Sequence, residues 1–382
     1  MRLAGAVARV PRPVRRVLKR LPGTSRLRGV GLGRPDGPVP DAGTPRPVVY
    51  VPTWLRWDEM RQRPQYLLQA FAAAGHPVYF VDPREPTPRC VDGVRITPSF
   101  RGVPGRHVVA YVHFAPAARL LDRFEDVAVV YDVLDDLSIY ESDERGVPEA
   151  ERVATHHRQV VARADVVVVS SEVLADRHRP ERPDLLVAPN GVDLHRFRLV
   201  PPRRGGPPVV GYHGAIASWF DFELYGAVAA AVAEARFRLV GPVAPDVRGE
   251  ATRLARLPNV ELVGERPPDE IPEIVAGFDV GTVPFRLDEM TRAVSPLKMY
   301  EYLATGRGVV ATALPACRDV PEVTIADDPT TFAAGIRRLL ADGGPEALRR
   351  RRAVAEGAGW DRRLAPVLSR LDELGRRRVP GP

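Results

Sequence analysis

The sequence predicts an α/β protein with two doubly wound parallel-sheet domains that face a central cleft. Three observations support this prediction. The chain has 382 residues, more than one domain usually contains. Val-rich runs alternate with helical segments, which is the pattern of parallel strands covered by helices on both faces. The Pro- and Gly-rich stretch at 201–208 interrupts this alternation, which then starts again, so we interpret the stretch as a linker.

The first 46 residues are predicted to be a basic flexible tail, because they are rich in Pro, Gly and Arg. Eleven Arg and Lys residues against two Asp residues give this tail a charge of +9, whereas the whole chain carries +7, so the remainder carries −2. Because the folded part is not basic, we expect no nucleic acid partner. The "GVGLG" stretch at 29–33 has no strand before it, so we reject it as a dinucleotide-binding loop.

The N-terminal domain is predicted to span residues 47–200. It begins with the strand "PVVYVPT", and an amphipathic helix that ends at Gly75 follows. The strand "PVYFVDP" comes next, and a second helix is predicted at 147–163. The remaining strands are predicted at "VVAYVHF", "VAVVYDVLDD", "ADVVVVSS" and "LLVAPNGVD".

The C-terminal domain, predicted at 209–382, repeats this alternation. Its strands are expected at "VVGYHGAIA", "RFRLVGPV", "NVELVGE", "DVGTVPF", "GVVATAL" and "VTIADD". Its helices are expected at 222–235, 268–278, 295–306, 329–342 and 345–378. Parallel sheets bind ligands outside the carboxyl ends of their strands, so the cleft between the two domains is the predicted site.

The helix at 295–306, "SPLKMYEYLATG", carries the first candidate site residues. We expect Ser295 to be its N-cap and Pro296 its first residue. The free N–H groups and the positive dipole end of such a helix bind anions. Lys298 would share an anion such as a diphosphate with this helix end, and Glu301 would accept hydrogen bonds from two adjacent hydroxyls, as on a ribose. The alternative is that both side chains are solvated.

Several segments, taken in order, resemble the GT-B glycosyltransferases, especially bacterial enzymes of cell-surface polysaccharide assembly. They are "SPLKMYEYLATGRGVVAT", "RQRPQYLLQAFAAAGHPVYFVD", "ADVVVVSSEVLADR", "VAPNGVDLHRF", "GYHGAIASWFD" and "LPNVELVGERPPDEIPEIVAGFDVGTVPF", and the resemblance covers residues 48–375. It implies a GT-B fold with two Rossmann-like domains. It also implies a nucleotide-diphosphate sugar as the donor co-substrate, with no cofactor and no bound metal.

The resemblance assigns roles to residues on the donor side. In that family the glutamate that matches Glu301 holds the ribose hydroxyls. Many relatives place a second glutamate, which contacts the donor sugar, where this chain has Ala293. This departure leaves open altered donor choice or lost activity. Arg292 and Ser295 lie nearby and are expected to replace some of the missing contacts.

The turn from Gly211 to Gly214 resembles the family's close approach to the diphosphate. His213 lies within this turn. It is either a hydrogen-bond donor to phosphate or a structural histidine.

The N-terminal domain is expected to bind the acceptor. His113 ends a predicted strand and matches in place a histidine that relatives use near the transferred sugar, although it can equally be structural. Asp132, Asp135 and Asp136 end the next strand. Three carboxylates suggest a metal site, but the resemblance implies none. We expect Asp135 or Asp136 to act as a base or to orient the acceptor, with helix capping as the alternative.

Two further residues, Arg61 and Arg63, precede the first predicted helix. They are expected to hold an anionic acceptor or else to be solvated charges. The favoured function is sugar transfer from a nucleotide-diphosphate donor to a glycan, lipid-linked or small-molecule acceptor in cell-surface polysaccharide biosynthesis. The alternatives are a nucleotide-sugar epimerase and a non-catalytic sugar-nucleotide-binding scaffold.

The expected location is cytoplasmic, with possible peripheral attachment to the inner face of the cell membrane. Two distant cysteines, Cys90 and Cys317, fit a reducing compartment. No apolar run approaches the ~18 residues of a transmembrane helix. Residues 12–21 have apolar side chains at i, i+3, i+4 and i+7 flanked by basic ones, which predicts either a short amphipathic helix on an anionic membrane or a disordered arginine-rich tail.

Overall fold

A computed structural model describes residues 31–41, 43–51, 55–59, 61–136, 149–201 and 205–378. These residues form two sheets, each covered by helices, so the predicted α/β fold class with two parallel sheets is confirmed. The predicted membrane-binding stretch at 12–21 lies outside the described residues. Among the helices of the described chain, none combines the length and the apolar character that a membrane span needs.

The N-terminal sheet has eight strands in the order β3-β4-β2-β1-β5-β6-β7-β8. All of its pairings are parallel except that of β3 with β4. The strands are β1 (Val48–Tyr50), β2 (Val78–Val81), β3 (Arg89–Val91), β4 (Val94–Thr97), β5 (Arg106–Val112), β6 (Glu125–Val133), β7 (Val166–Val169) and β8 (Leu186–Val187). Their Val-rich centres are buried on both faces, as the sequence pattern requires.

Helices cover both faces of this sheet. They are α1 (Arg63–Ala73), α2 (Glu149–Arg163) and α3 (Glu172–His178), with a 3₁₀ helix at Ala115–Arg123. Helix α3 begins after the N-cap Ser171, whose side chain accepts a hydrogen bond from the backbone of Leu174.

The C-terminal sheet has six parallel strands in the order β11-β10-β9-β12-β13-β14. They are β9 (Val209–His213), β10 (Arg236–Val240), β11 (Val260–Gly264), β12 (Val280–Val283), β13 (Gly308–Ala311) and β14 (Val323–Ile325). The helices around it are α4 (Phe222–Ala231), α5 (Arg248–Leu254), α6 (Ile271–Ala276), α7 (Glu289–Arg292), α8 (Leu297–Ala304), α9 (Pro315–Arg318), α10 (Pro329–Ala341), α11 (Pro345–Glu356) and α12 (Trp360–Arg378).

The last helix connects the two sheets. Trp360, Leu364 and Val367 of α12 are buried in the core of the N-terminal sheet, and the ring of Trp360 stacks on Tyr66 at 5.4 Å. The single helix predicted at 345–378 is wrong, because the chain breaks it at 357–359 into α11 and α12. Gly359 here forms an isolated bridge with Val192.

The structure also corrects the start of the N-terminal domain. The predicted tail was to reach residue 46, but Leu32 is buried in the core of the N-terminal sheet. The backbone N–H of Phe100 donates to the carbonyl of Leu32, and Gly37 pairs with Pro104. Residues 31–41 are therefore partly packed against the domain.

Candidate active site in the cleft between the sheets

The carboxyl ends of the two sheets enclose a cleft of about 980 Å³. Nine of the predicted site residues line it: Arg61, Arg63, His113, Asp135, His213, Gly214, Ser295, Lys298 and Glu301. Most of the site residues predicted from the sequence therefore lie in this one cleft, on its opposite walls. Asp136, Gly211 and Arg292 are not among the lining residues.

The donor-side helix α8 begins later than predicted. Its N-cap is Pro296 rather than Ser295, and no side chain caps it. The hydroxyl of Ser295 instead accepts a hydrogen bond from the backbone N–H of Asn190 at 3.0 Å, and its carbonyl accepts one from Nδ2 of Asn190 at 2.6 Å. The predicted N-cap thus joins the two halves of the molecule.

Lys298 points its ammonium group against two aromatic rings. Nζ lies 5.1 Å from the ring centre of Tyr212 and 4.7 Å from that of Phe285. Among the described residues no carboxylate lies within ion-pairing distance of this ammonium, although Glu301 is near enough to favour its charge. Burial nevertheless lowers the pKa of Lys298 from 10.5 to about 8. A partly buried cation that lies against ring faces is suited to accept an anion.

Glu301 is 3% exposed and faces the predicted turn histidine. Its Oε2 lies 2.9 Å from Nε2 of His213, close enough for an ion pair when the imidazole is protonated. The backbone N–H of His213 is held by the hydroxyl of Tyr302, on the same helix as Glu301. Helix α8 therefore fixes both members of this pair.

The two glycines of the predicted diphosphate turn have different roles. Gly214 has φ +116°, and a Cβ there would lie 3.2 Å from Cε of Lys298. Gly211 lies inside β9, where a Cβ would come within 2.1 Å of the ring of Phe278. The assignment of Gly211 to donor binding is therefore corrected: this residue lacks a side chain so that Phe278 can pack on the sheet.

The loop before α8 also differs from the expectation. Arg292 is exposed at the end of α7 and does not line the cleft, so it does not occupy the place proposed for it. Ala293 is fully buried in the core of the N-terminal sheet. Its carbonyl accepts a hydrogen bond from the hydroxyl of Ser171 at 2.7 Å.

On the acceptor side, His113 follows β5 and contacts Tyr50. Its Nδ1 lies 3.0 Å from the hydroxyl of Tyr50, and the two rings stack at 5.4 Å. Burial lowers the pKa of His113 to about 4, against a smaller opposing effect of Asp132. The imidazole is therefore neutral at physiological pH.

The three carboxylates at the carboxyl end of β6 do not converge. Asp132 is buried and accepts hydrogen bonds from Arg63, with Nε to Oδ2 at 2.8 Å, and from Tyr111. Asp136 forms an ion pair with Arg177. Asp135 is exposed to the solvent of the cleft, and partial desolvation by the surrounding walls raises its pKa to about 6. Of the two predicted bases, Asp135 is the one in the cleft.

The two predicted acceptor arginines are already paired. Arg63 is 3% exposed, and besides Asp132 it donates from Nη1 to the carbonyl of Ala188 at 2.7 Å. Its expected role in holding an anionic acceptor is corrected, because its guanidinium is committed to these partners. Arg61 lies 3.4 Å from Asp92 and 3.9 Å from Asp269, so it bridges the two walls of the cleft.

Asn190 is a cleft residue that the sequence analysis did not single out. It lies in "VAPNGVD" at the junction of the two halves, and this segment was used only as part of the resemblance. Trp219 and Thr291 also line the cleft. A polar side chain directly after a strand that precedes a linker is the signal that would have pointed to Asn190.

Solved structures with the same arrangement define the fold class. The chain matches a sucrose-phosphate synthase from Thermosynechococcus elongatus with a TM-score of 0.64 and 16% identity, over 87% of this chain and 100% of that one. It matches HepE of Anabaena, solved in complex with UDP and glucose, with a TM-score of 0.57 and 16% identity, over 85% and 99%. The predicted GT-B fold is confirmed.

Sequence comparison adds the family. Residues 207–342 match the family described as Glycosyl transferases group 1. The putative teichuronic acid biosynthesis glycosyltransferase TuaH of Bacillus subtilis is 30% identical over 220 residues. That match spans 53% of this chain and 55% of the relative, about half the length of each. The resemblance to glycosyltransferases of bacterial surface polysaccharides is thereby confirmed.

Proposed function

We propose that this protein transfers a sugar from a nucleotide-diphosphate donor to an acceptor of cell-surface polysaccharide biosynthesis. One observation carries the proposal: the partly buried cation of Lys298 and the carboxylate of Glu301 lie on one helix, and that helix faces Asp135 and His113 across the cleft. A cation on one wall and a carboxylate on the other suit a reaction in which a diphosphate leaves on one side and a hydroxyl attacks from the other.

In the proposed reaction the acceptor hydroxyl bonds to the anomeric carbon of the donor, and the bond from that carbon to the diphosphate oxygen breaks. Lys298 neutralises the charge that develops on the diphosphate. Asp135 accepts the proton of the acceptor hydroxyl, for which its pKa of about 6 leaves it ionised at neutral pH. Glu301 holds the ribose hydroxyls of the donor. Neutral His113 hydrogen-bonds near the transferred sugar.

The acceptor is proposed to be a glycan or lipid-linked glycan, with teichuronic acid biosynthesis as the setting of the curated relative. Such acceptors place the enzyme in the cytoplasm at the inner face of the membrane. Residues 12–21 would then attach it reversibly to anionic lipid, since each basic charge near such a surface contributes about 1 kcal/mol. Co-sedimentation with anionic vesicles, comparing the full chain with one that starts at Gly31 and so keeps the buried Leu32, tests the attachment. Equal pelleting of both would contradict it.

The activity is tested in two stages. Thermal shift with UDP, GDP and dTDP identifies the nucleotide, because a ligand at about a hundred times its Kd adds about 2.7 kcal/mol of stability. Sugar derivatives of that nucleotide are then assayed with and without candidate glycan acceptors. Release of the nucleoside diphosphate that depends on the acceptor supports transfer. Sugar interconversion without release would indicate an epimerase, and binding without any turnover would indicate a scaffold.

A further inference from the structure

One short segment of the C-terminal half makes several polar contacts with the N-terminal half. It comprises residues 289–295, and we call it the seam segment. It lies after β12 and directly before α8 in the chain. The side chain of Ala293 is nevertheless buried in the core of the N-terminal sheet rather than in its own.

Hydrogen bonds fix this segment at two points. Ser171, which follows β7 by two residues and caps α3, donates from its hydroxyl to the carbonyl of Ala293 at 2.7 Å in a buried position. Asn190, shortly after β8, contacts Ser295 twice, through its backbone N–H and through Nδ2. Both anchors therefore stand at the carboxyl edge of the N-terminal sheet.

The guanidinium of Arg63 sets the orientation of the Asn190 amide. Nη1 of Arg63 lies 3.4 Å from Oδ1 of Asn190, while the same guanidinium is locked by Asp132. With Oδ1 facing a cation, Nδ2 is left to donate to Ser295. Asn190 thus connects the buried Arg63–Asp132 pair to Ser295, which lies just before helix α8.

We infer that Ser171 and Asn190 are positioning residues that set the place of helix α8 relative to Asp135 in the closed cleft. Only Pro296 separates Ser295 from α8, so a displacement of the seam segment displaces Lys298 and Glu301 together. These two side chains stay correctly arranged with respect to each other, because both belong to one helix. Loss of the anchors therefore spares nucleotide binding and impairs transfer. This inference rests on the proposed function for its kinetic consequence, although not for its structural one.

The test compares Asn190→Asp with a matched substitution elsewhere. Asn190→Asp keeps an oxygen toward Arg63 but replaces the Nδ2 donor with an oxygen that repels the carbonyl of Ser295. Asn259→Asp is the control, since Nδ2 of Asn259 donates to the carbonyls of Ala229 at 2.9 Å and Ala235 at 3.1 Å within the C-terminal half. Ser171→Ala supplies a second, independent loss of an anchor.

Small-angle X-ray scattering of the ligand-free protein is the first measurement. We expect Asn190→Asp and Ser171→Ala to increase the radius of gyration, and Asn259→Asp to leave it unchanged. In the second measurement we expect the Kd of the nucleoside diphosphate found by thermal shift to stay within about threefold while kcat falls at least about tenfold, a change of ~1.4 kcal/mol.

Unchanged scattering together with unchanged kcat in both anchor variants would overturn the inference. A loss of nucleotide affinity equal to the loss of kcat would overturn it as well, because the residues would then act in donor binding. If the wild-type protein transfers no sugar, the proposed function fails, but the scattering comparison still decides whether the anchors hold the cleft closed.

Discussion

Replacement of Lys298 by methionine should make the empty protein more stable and its nucleotide complex weaker. Methionine has a similar length and no charge, so it can lie between Tyr212 and Phe285 without the cost of a desolvated ammonium. The same change removes the cation that we assign to the diphosphate. The two effects have opposite signs, which distinguishes a site that awaits an anion from an ordinary packing residue.

The size of the stability effect follows from the pKa. The pKa of Lys298 falls from 10.5 in solution to about 8 in the protein, and each pKa unit corresponds to about 1.4 kcal/mol, so burial of the charge costs roughly 3 kcal/mol. Two cation–π contacts return about 0.5–1 kcal/mol each. Lys298→Met should therefore stabilise the protein by about 1–2 kcal/mol, and the melting temperature of this 382-residue chain should rise by about 1–3 °C.

The gain should depend on pH in a defined direction. A lysine whose pKa is lower in the folded state destabilises that state fully at pH values below the folded pKa of about 8. This destabilisation disappears as the pH rises toward 10.5, where the unfolded chain also loses the proton. The difference in melting temperature between wild type and Lys298→Met should accordingly be largest at pH 7 and shrink above pH 8.

Calorimetry of the nucleoside diphosphate completes the assay. Because a bound anion favours the charged form of Lys298, the wild-type protein should take up protons on binding above pH 8 and should lose affinity there. Lys298→Arg should show neither effect, because its guanidinium stays charged. We expect Lys298→Met to lose ten- to a hundredfold in affinity, since a hydrogen bond to a charged group contributes about 1.5–3 kcal/mol. A variant that is less stable than wild type, or one that binds the nucleotide equally well, would refute this reasoning.

Three further predictions concern the other cleft residues. Glu301→Gln should lower the affinity for the nucleoside diphosphate about tenfold or more, as measured by calorimetry, because a neutral amide accepts ribose hydroxyls less strongly; equal affinity would remove Glu301 from the donor site. In the wild-type protein kcat/KM should fall below about pH 6 as the carboxylate of Asp135 is protonated, and Asp135→Asn should abolish this acidic limb of the pH profile. The same substitution should stabilise the protein above that pH. An acidic limb that persists in the variant would belong to another group. His113→Ala should lower kcat more than it changes nucleotide affinity, and a parallel loss of both would indicate a damaged N-terminal sheet instead.

The sequence was sufficient for the fold because local patterns determine it. Val-rich runs between amphipathic segments predicted most of the strands in both sheets. The hairpin of β3 and β4 was missed, although its signal is present: Asp92 and Gly93 both have positive φ between the two strands, as a two-residue turn requires. The Asp-Gly pair is therefore a sequence signal from which this hairpin could have been predicted.

The residues of the candidate site were predictable only where a single helix or strand, with its place in the chain, is enough to locate them. Lys298 and Glu301 occupy the cleft because both lie on one helix after a strand, and the order of elements sets this. The N-cap assignment of Ser295 failed because its partner, Asn190, is 105 residues away. Arg63 was mistaken for a free charge for the same reason, since its partner Asp132 lies 69 residues away on strand β6. The periodic pattern of a sequence does not show which side chains from distant segments will pair.

Ala293 shows what such a distant contact changes. In the resembling enzymes a glutamate at this position contacts the donor sugar, but here the position is buried against the opposite domain, where a carboxylate without a partner would cost several kcal/mol. A glutamate could therefore enter only if the seam segment left the N-terminal sheet. The absence of the glutamate is thus tied to the closed packing of the cleft and does not by itself indicate a lost active site. Recognition of the sugar must then come from residues that face the cleft, such as Trp219.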